Sequence, residues 1–194
     1  MRPPNSTAPL FERIAPRFIK IIGNLVHRTP GGGIATDMAD YITISDNIVH
    51  NNAYLNTLSP ELDWSQIVTR VTNNARVLNS IIATDGEERV NENDRNTNIR
   101  YDYNLYFGGR KPDIMGPNDI IADPKFVNVT GKGQRDFRLQ PGSLAIDSAL
   151  PFPVIAKDAS VSLRVIGKAP DRGRLKALAK PLAKPLENEV GNRP

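Results

Sequence analysis

No cysteine occurs in the 194 residues, which excludes a disulfide framework, a thiolate zinc site and a cysteine nucleophile. Aromatic residues are scarce at 6%, with one tryptophan, Trp64. Aliphatic and β-branched side chains must therefore fill the core. No apolar run approaches the roughly 20 residues that cross a bilayer, so no membrane span is expected. No apolar stretch follows Met1-Arg2-Pro3-Pro4-Asn5, so the start does not read as a secretory signal. Basic charge is missing from most of the chain. Residues 1–150 carry 16 Lys+Arg against 17 Asp+Glu, while residues 151–194 carry 9 against 4. The net charge of +4 belongs to the tail. The body lacks the basic footprint of a nucleic-acid binder, and no nucleic-acid partner is expected.

What is present is a recurring phrase. It reads Gly23-Asn24-Leu25-Val26-His27, Asp46-Asn47-Ile48-Val49-His50, Asn79-Ser80-Ile81-Ile82-Ala83 and Tyr103-Asn104-Leu105-Tyr106-Phe107. Positions 24, 47, 80 and 104 are equivalent, at intervals of 23, 33 and 24. An alternating run precedes each copy, and strand-like text with this period is the mark of a solenoid. An insertion between Asn51 and Thr72 accounts for the longer interval, and Asp85–Asn98 reads as a polar excursion into solvent. Stacked coils would place Ile19, Ile42, Ala75 and Ile99 in one interior ladder and Ile21, Ile44, Val77 and Tyr101 in another. Asn24, Asn47 and Asn104 would form a corner ladder, since Asn tolerates left-handed backbone and bonds locally. Ser80 should interrupt it.

These phrases, with Asp123-Pro124-Lys125-Phe126 and Asp136-Phe137-Arg138-Leu139-Gln140-Pro141-Gly142-Ser143, resemble the C-terminal portion of right-handed parallel β-helix repeat proteins of the pectate-lyase-like superfold. The resemblance covers about residues 18–150. It implies an all-β fold: a right-handed parallel β-helix with an irregular C-terminal cap and a flexible basic tail. The expected divisions are an irregular lead-in (1–17), coils (18–109), a cap (110–150) and a partly disordered Pro/Lys-rich tail (151–194). Arg172 and Arg174 stand where such proteins usually carry apolar or small residues after the cap. Family members usually have more coils and an N-terminal cap. The chain is accordingly expected to be a piece of a longer protein, with self-association through an uncapped first coil.

The resemblance also implies an extracellular or cell-surface protein that binds or processes polysaccharide as a lyase or hydrolase. The alternative is a non-catalytic structural or surface-attachment solenoid. The Asp-rich and Arg-containing motifs of known pectate lyases and polygalacturonases are not recognisable here. The substrate-contact candidates are His27, His50, Asp37, Asp40 and Trp64. His27 and His50 hold the same place in successive coils, which suits either a two-histidine contact to a metal or substrate or an incidental ladder. Burial of a stacked pair is costly, so both should point outward. Asp37 and Asp40, with Asp46, could bind calcium or act on a glycosidic bond, but Asp also ends strands. No cofactor is expected, and no motif supports Ca2+. Trp64 and Tyr54 could stack on sugar or staple the insertion. Lys20, Arg28 and Arg76 could neutralise a uronate.

Overall fold

The computed structural model describes residues 15–57, 63–130, 134–151 and 169–173. Apart from one 3-10 turn at Tyr54–Thr57, the elements in these residues are β-strands. The first pass of the chain lays down β1 (Lys20–Ile22), β2 (Leu25–His27) and β3 (Ile34–Asp37). The second pass gives β4 (Thr43–Ser45), β5 (Ile48–His50) and β6 (Ser65–Arg70). The third gives β7 (Asn73–Leu78), β8 (Ile81–Ala83) and β9 (Arg89–Asp94). β10 (Thr97–Asp102), β11 (Leu105–Phe107) and β12 (Ile120–Ile121) follow.

Each pass returns its strands beside their predecessors. The first sheet runs β1-β4-β7-β10, the second β2-β5-β8-β11-β12 and the third β3-β6-β9. All of these pairings are parallel. The register follows the sequence repeat: Ile21 pairs with Ile44, Ile44 with Val77, and Val77 with Tyr101. The polar stretch expected to loop into solvent instead supplies β9, which pairs along β6. Its backbone completes the third sheet, and Val90 and Asn91 are buried.

The corners follow from backbone chemistry. Gly23, Asp46, Asn79 and Tyr103 all have φ between 53° and 67°, and each immediately precedes a ladder position. The left-handed residue bends the chain from the first sheet into the second, and the next side chain bonds across passes. Asn47 Oδ1 accepts from the Asn24 backbone N–H at 2.9 Å, and Asn47 Nδ2 donates to the Ile21 carbonyl. Asn104 Oδ1 accepts from Ser80 N–H at 3.0 Å, and its Nδ2 donates to the Val77 carbonyl. Ser80 does not interrupt the series. Its Oγ accepts from Asn47 N–H at 3.2 Å and donates to the Leu78 carbonyl. A hydroxyl is long enough to satisfy the backbone donor, so only the extra amide bond is lost. Asp119 closes the series by accepting from Asn104 N–H at 2.6 Å.

Ile34, Ile42, Ile44, Val49, Ile67, Val77, Ile82 and Tyr101, drawn from all three sheets, share one interior cluster. A second cluster lies on the other face of the second sheet. There Leu25, Ile48, Ile81 and Leu105 meet Phe126, Phe137, Leu139 and Ala145. The covering residues come largely from an antiparallel hairpin, β13 (Phe126–Asn128) and β14 (Asp136–Leu139). Only part of the 110–150 segment therefore acts at an end, where β12 adds to β11. The hairpin lies along a side. Within the expected loose tail, 169–173 is docked: Arg172 N–H donates to the Ala145 carbonyl and Gly173 N–H to the Asn79 carbonyl. The other residues of 152–194 lie outside the described ones, as does most of the 1–17 lead-in.

Candidate functional site

Residues that alternate with the interior row of the first sheet face outward. Lys20 pairs with Thr43, Thr43 with Arg76, and Arg76 with Arg100, so three cations share one row across the passes. Beside this row, Phe18, Tyr41, Asn74 and Asn98 all adopt left-handed backbone, with φ between 49° and 59°. Their spacing repeats the intervals of the corner ladder. Phe18 and Tyr41 stack with ring centroids 5.0 Å apart and planes 15° apart, yet Phe18 is 74% and Tyr41 49% exposed. Asn98 Nδ2 donates to Asn74 Oδ1 at 2.7 Å, and Asn74 Nδ2 donates to Asp40 Oδ1 at 2.8 Å. The row and the stack line a groove of about 440 Å³. Arg100 is braced by Asp102 at 2.5 Å. Burial opposes the Asp102 charge, but hydrogen bonds from Arg100 and Asn118 outweigh it and hold the carboxyl below its usual range. Among the described residues, Lys20 and Arg76 have no ion-pair partner.

The histidines are brought together as the repeat requires, with His27 paired to His50 in register. They point away from the interior, and the hairpin covers His50 fully and His27 in part. The His50 side chain is only 3% exposed. Phe137 packs 5.3 Å from the His27 ring and 5.4 Å from the His50 ring, and Phe126 lies 5.9 Å from His50. Burial pushes His50 down to about 4, against the opposing pull of Asp85. Burial also lowers His27, with Arg135 and Arg28 adding to the effect. The Nδ1 atoms of both rings are buried without a hydrogen-bond partner among the described residues.

The remaining candidates lie elsewhere. Asp37 pairs in register with Arg70 on the third sheet. Arg70 in turn bonds Glu92 at 2.6 Å. Asp40 sits at the corner leading into the first sheet, between Arg17 at 3.8 Å and Asn74. Trp64 directly precedes β6 and lies over Gly32, 3.6 Å from where a Cβ there would stand. The five residues thus divide among three faces, and only Asp40 adjoins the groove. No group of three or more His, Cys, Asp or Glu among the described residues is placed to hold a metal ion. No helix among them is long and apolar enough to cross a membrane.

Phe18, Tyr41 and Asp119 were not singled out from the sequence, and Arg172 was noted there only as a departure from the apolar or small residue usual after the cap. Phe18 and Tyr41 stood just before their strands, and only the 23-residue interval between them hinted that they would meet. Asp119 terminates the corner series and is buried enough that its carboxyl is pushed up. Arg172 is buried at 4% exposure, where its guanidinium donates to the carbonyls of Asn104 and Asn118 and to Ser148 Oγ. Compared with protein-family models, curated proteins and solved structures, the chain matches none.

Proposed function

We propose that the three parallel sheets are the faces of a right-handed parallel β-helix, and that the protein binds acidic polysaccharide along the outer face of the first sheet. The observation that carries this reading is the row Lys20, Arg76 and Arg100 beside the exposed Phe18–Tyr41 stack. Adjacent passes lie roughly 4.7–4.9 Å apart, so the row spans a distance comparable to a few sugar units. Aromatic faces suit the apolar side of a pyranose, while the cations suit uronate or sulfate groups. Asn74 and Asn98 add neutral donors and acceptors for hydroxyls.

The reading is of binding before catalysis. Among the described residues that line the groove there is no Asp, Glu or His. The two-carboxylate route of glycoside hydrolysis therefore has no pair there. An extracellular or cell-surface setting goes with this proposal, since acidic glycans of this kind are found there.

The test is titration with polygalacturonate and alginate, with a neutral glucan as control. Binding to the acidic polymers should weaken as salt rises, because exposed charges are screened. Arg76→Gln should weaken it by about tenfold, on the order of 1.4 kcal/mol. Equal affinity for the neutral glucan, or an unchanged affinity in Arg76→Gln, would sink the reading. Release of unsaturated uronate in the same incubation would add lyase chemistry to it.

A further inference from the structure

The hairpin β13–β14 rests on a surface unlike the rest of the apolar interior. Leu25, Ile48, Ile81 and Leu105 form an ordinary apolar row, but the row beside it ends in His27 and His50. Phe126 and Phe137 sit directly on those imidazoles and on each other, the two phenyl rings being 5.3 Å apart. A neutral imidazole packs there as an aromatic ring. A charged one does not, for three reasons that can be read from the site.

The first reason is the missing acceptor. Nδ1 of each ring is buried without a partner among the described residues, so protonation there creates a buried N–H donor that none of them receives. The second is mutual repulsion. The two rings belong to adjacent strands, roughly 4.8 Å apart, so two imidazolium ions would face each other across one rung. The third is the surrounding charge. Arg28 follows His27, Arg135 leads into β14, and both disfavour a cation here. Lys125, before β13, lines the same cavity as His50. On the other side, Asp85 stands 3.9 Å from His50 Nε2, and Asp123 lines the cavity. Asp85 is already engaged by Asn51, whose Nδ2 donates to it at 2.5 Å, and it is half exposed.

We infer that the β13–β14 hairpin is an acid-released strap: protonation of His27 and His50 expels Phe126 and Phe137 from the outer face of the second sheet. The three parallel sheets do not depend on these rings, so they remain paired when the strap leaves. Release would uncover the part of the row Leu25, Ile48, Ile81 and Leu105 that Phe126, Phe137 and Leu139 cover, while Gly173 stays against Ile48 and Ile81, so the protein gains apolar surface in acid.

The direction follows from linkage. The docked state holds fewer protons on the histidines than the undocked state, so docking weakens as pH falls below 6.5 toward about 4. For His50 alone, the docking equilibrium should fall on the order of 100-fold between pH 7.5 and pH 4. His27 shifts the same way and deepens the loss.

Hydrogen exchange of the full chain, corrected for intrinsic rates, tests the inference at pH 7.5, 6, 5 and 4. The expected result is loss of protection in β13 and β14 while β4, β7 and β10 stay protected. His27→Phe with His50→Phe should hold the hairpin in place down to pH 4. If that double variant does not fold, two surface variants decide. Arg135→Gln, which removes a cation that opposes the imidazolium in the docked state, should move release to lower pH, and Asp85→Asn, which removes the anion that favours it, to higher pH. Unchanged hairpin protection at pH 4, loss of all sheets together, or release that ignores both surface variants would each overturn the inference.

Discussion

Asn104→Ala probes the corner series at its most connected member. Asn104 is fully buried, and its side chain serves three partners. Oδ1 accepts from Ser80 N–H at 3.0 Å, while Nδ2 donates to the Val77 carbonyl at 2.9 Å and to Asp119 Oδ1 at 3.2 Å. Alanine leaves the Ser80 N–H orphaned in a dry corner, which costs about 1–3 kcal/mol. The lost bonds to Val77 and Asp119 add about 1 kcal/mol, since both acceptors keep other donors. The sum is about 3 kcal/mol, or roughly 6–12 °C in Tm for a chain of this size. Asn104→Ser is the internal comparison. Ser80 already shows that a hydroxyl reaches the neighbouring backbone N–H, so serine at 104 should cost only about 1–2 kcal/mol. Urea unfolding followed by circular dichroism reads both variants. A loss below about 0.5 kcal/mol for alanine, against the cost of an orphaned donor, would refute the reasoning. Equal losses for alanine and serine would do the same.

Two further substitutions test the backbone. Val71 holds φ 47°, a region that a β-branched residue enters at a cost of roughly 1–2 kcal/mol. Val71→Asn should therefore raise the unfolding midpoint, with a gain of about 1 kcal/mol. A lower midpoint would show that Val71 packing outweighs its strain. Gly108 has φ +65°, and a Cβ there would stand 1.8 Å from the Thr84 carbonyl oxygen. Gly108→Ala should cost at least about 3 kcal/mol or prevent folding. Gly31→Ala, where a Cβ meets nothing within 4 Å, should be nearly neutral. Similar thermal stabilities for the two glycine variants would contradict the close approach at residue 108.

Much of the stack was legible because its order is local and periodic. One interval between Asn24 and Asn47 fixes the pairing of Ile21 with Ile44 and of His27 with His50. The covering of the second sheet was not legible, since no period links residues 126–139 to strands a hundred residues earlier. A signal was nevertheless present. Leu25 and Val26, Ile48 and Val49, and Ile81 and Ile82 are apolar on both faces, and strands of that kind are buried on both. The groove was half legible. Lys20 and Arg76 were noted as cations for a uronate, but their alignment with Arg100 needed the register. The exposed pairing of Phe18 with Tyr41 needed the left-handed bends at both residues. Ser80 looked like a defect only because its side chain was compared with Asn by type, and not by the bond it must make.

The connection between the second and third sheets occupies residues 28–33 in the first pass, 51–64 in the second and 84–88 in the third. Despite that, β3, β6 and β9 stay in step residue for residue. Surplus length is absorbed at one bend without reaching the strands. That bend is thus a place where lineages can add or delete sequence freely, and where a foreign peptide could be spliced in for display while the column beneath it keeps its alignment.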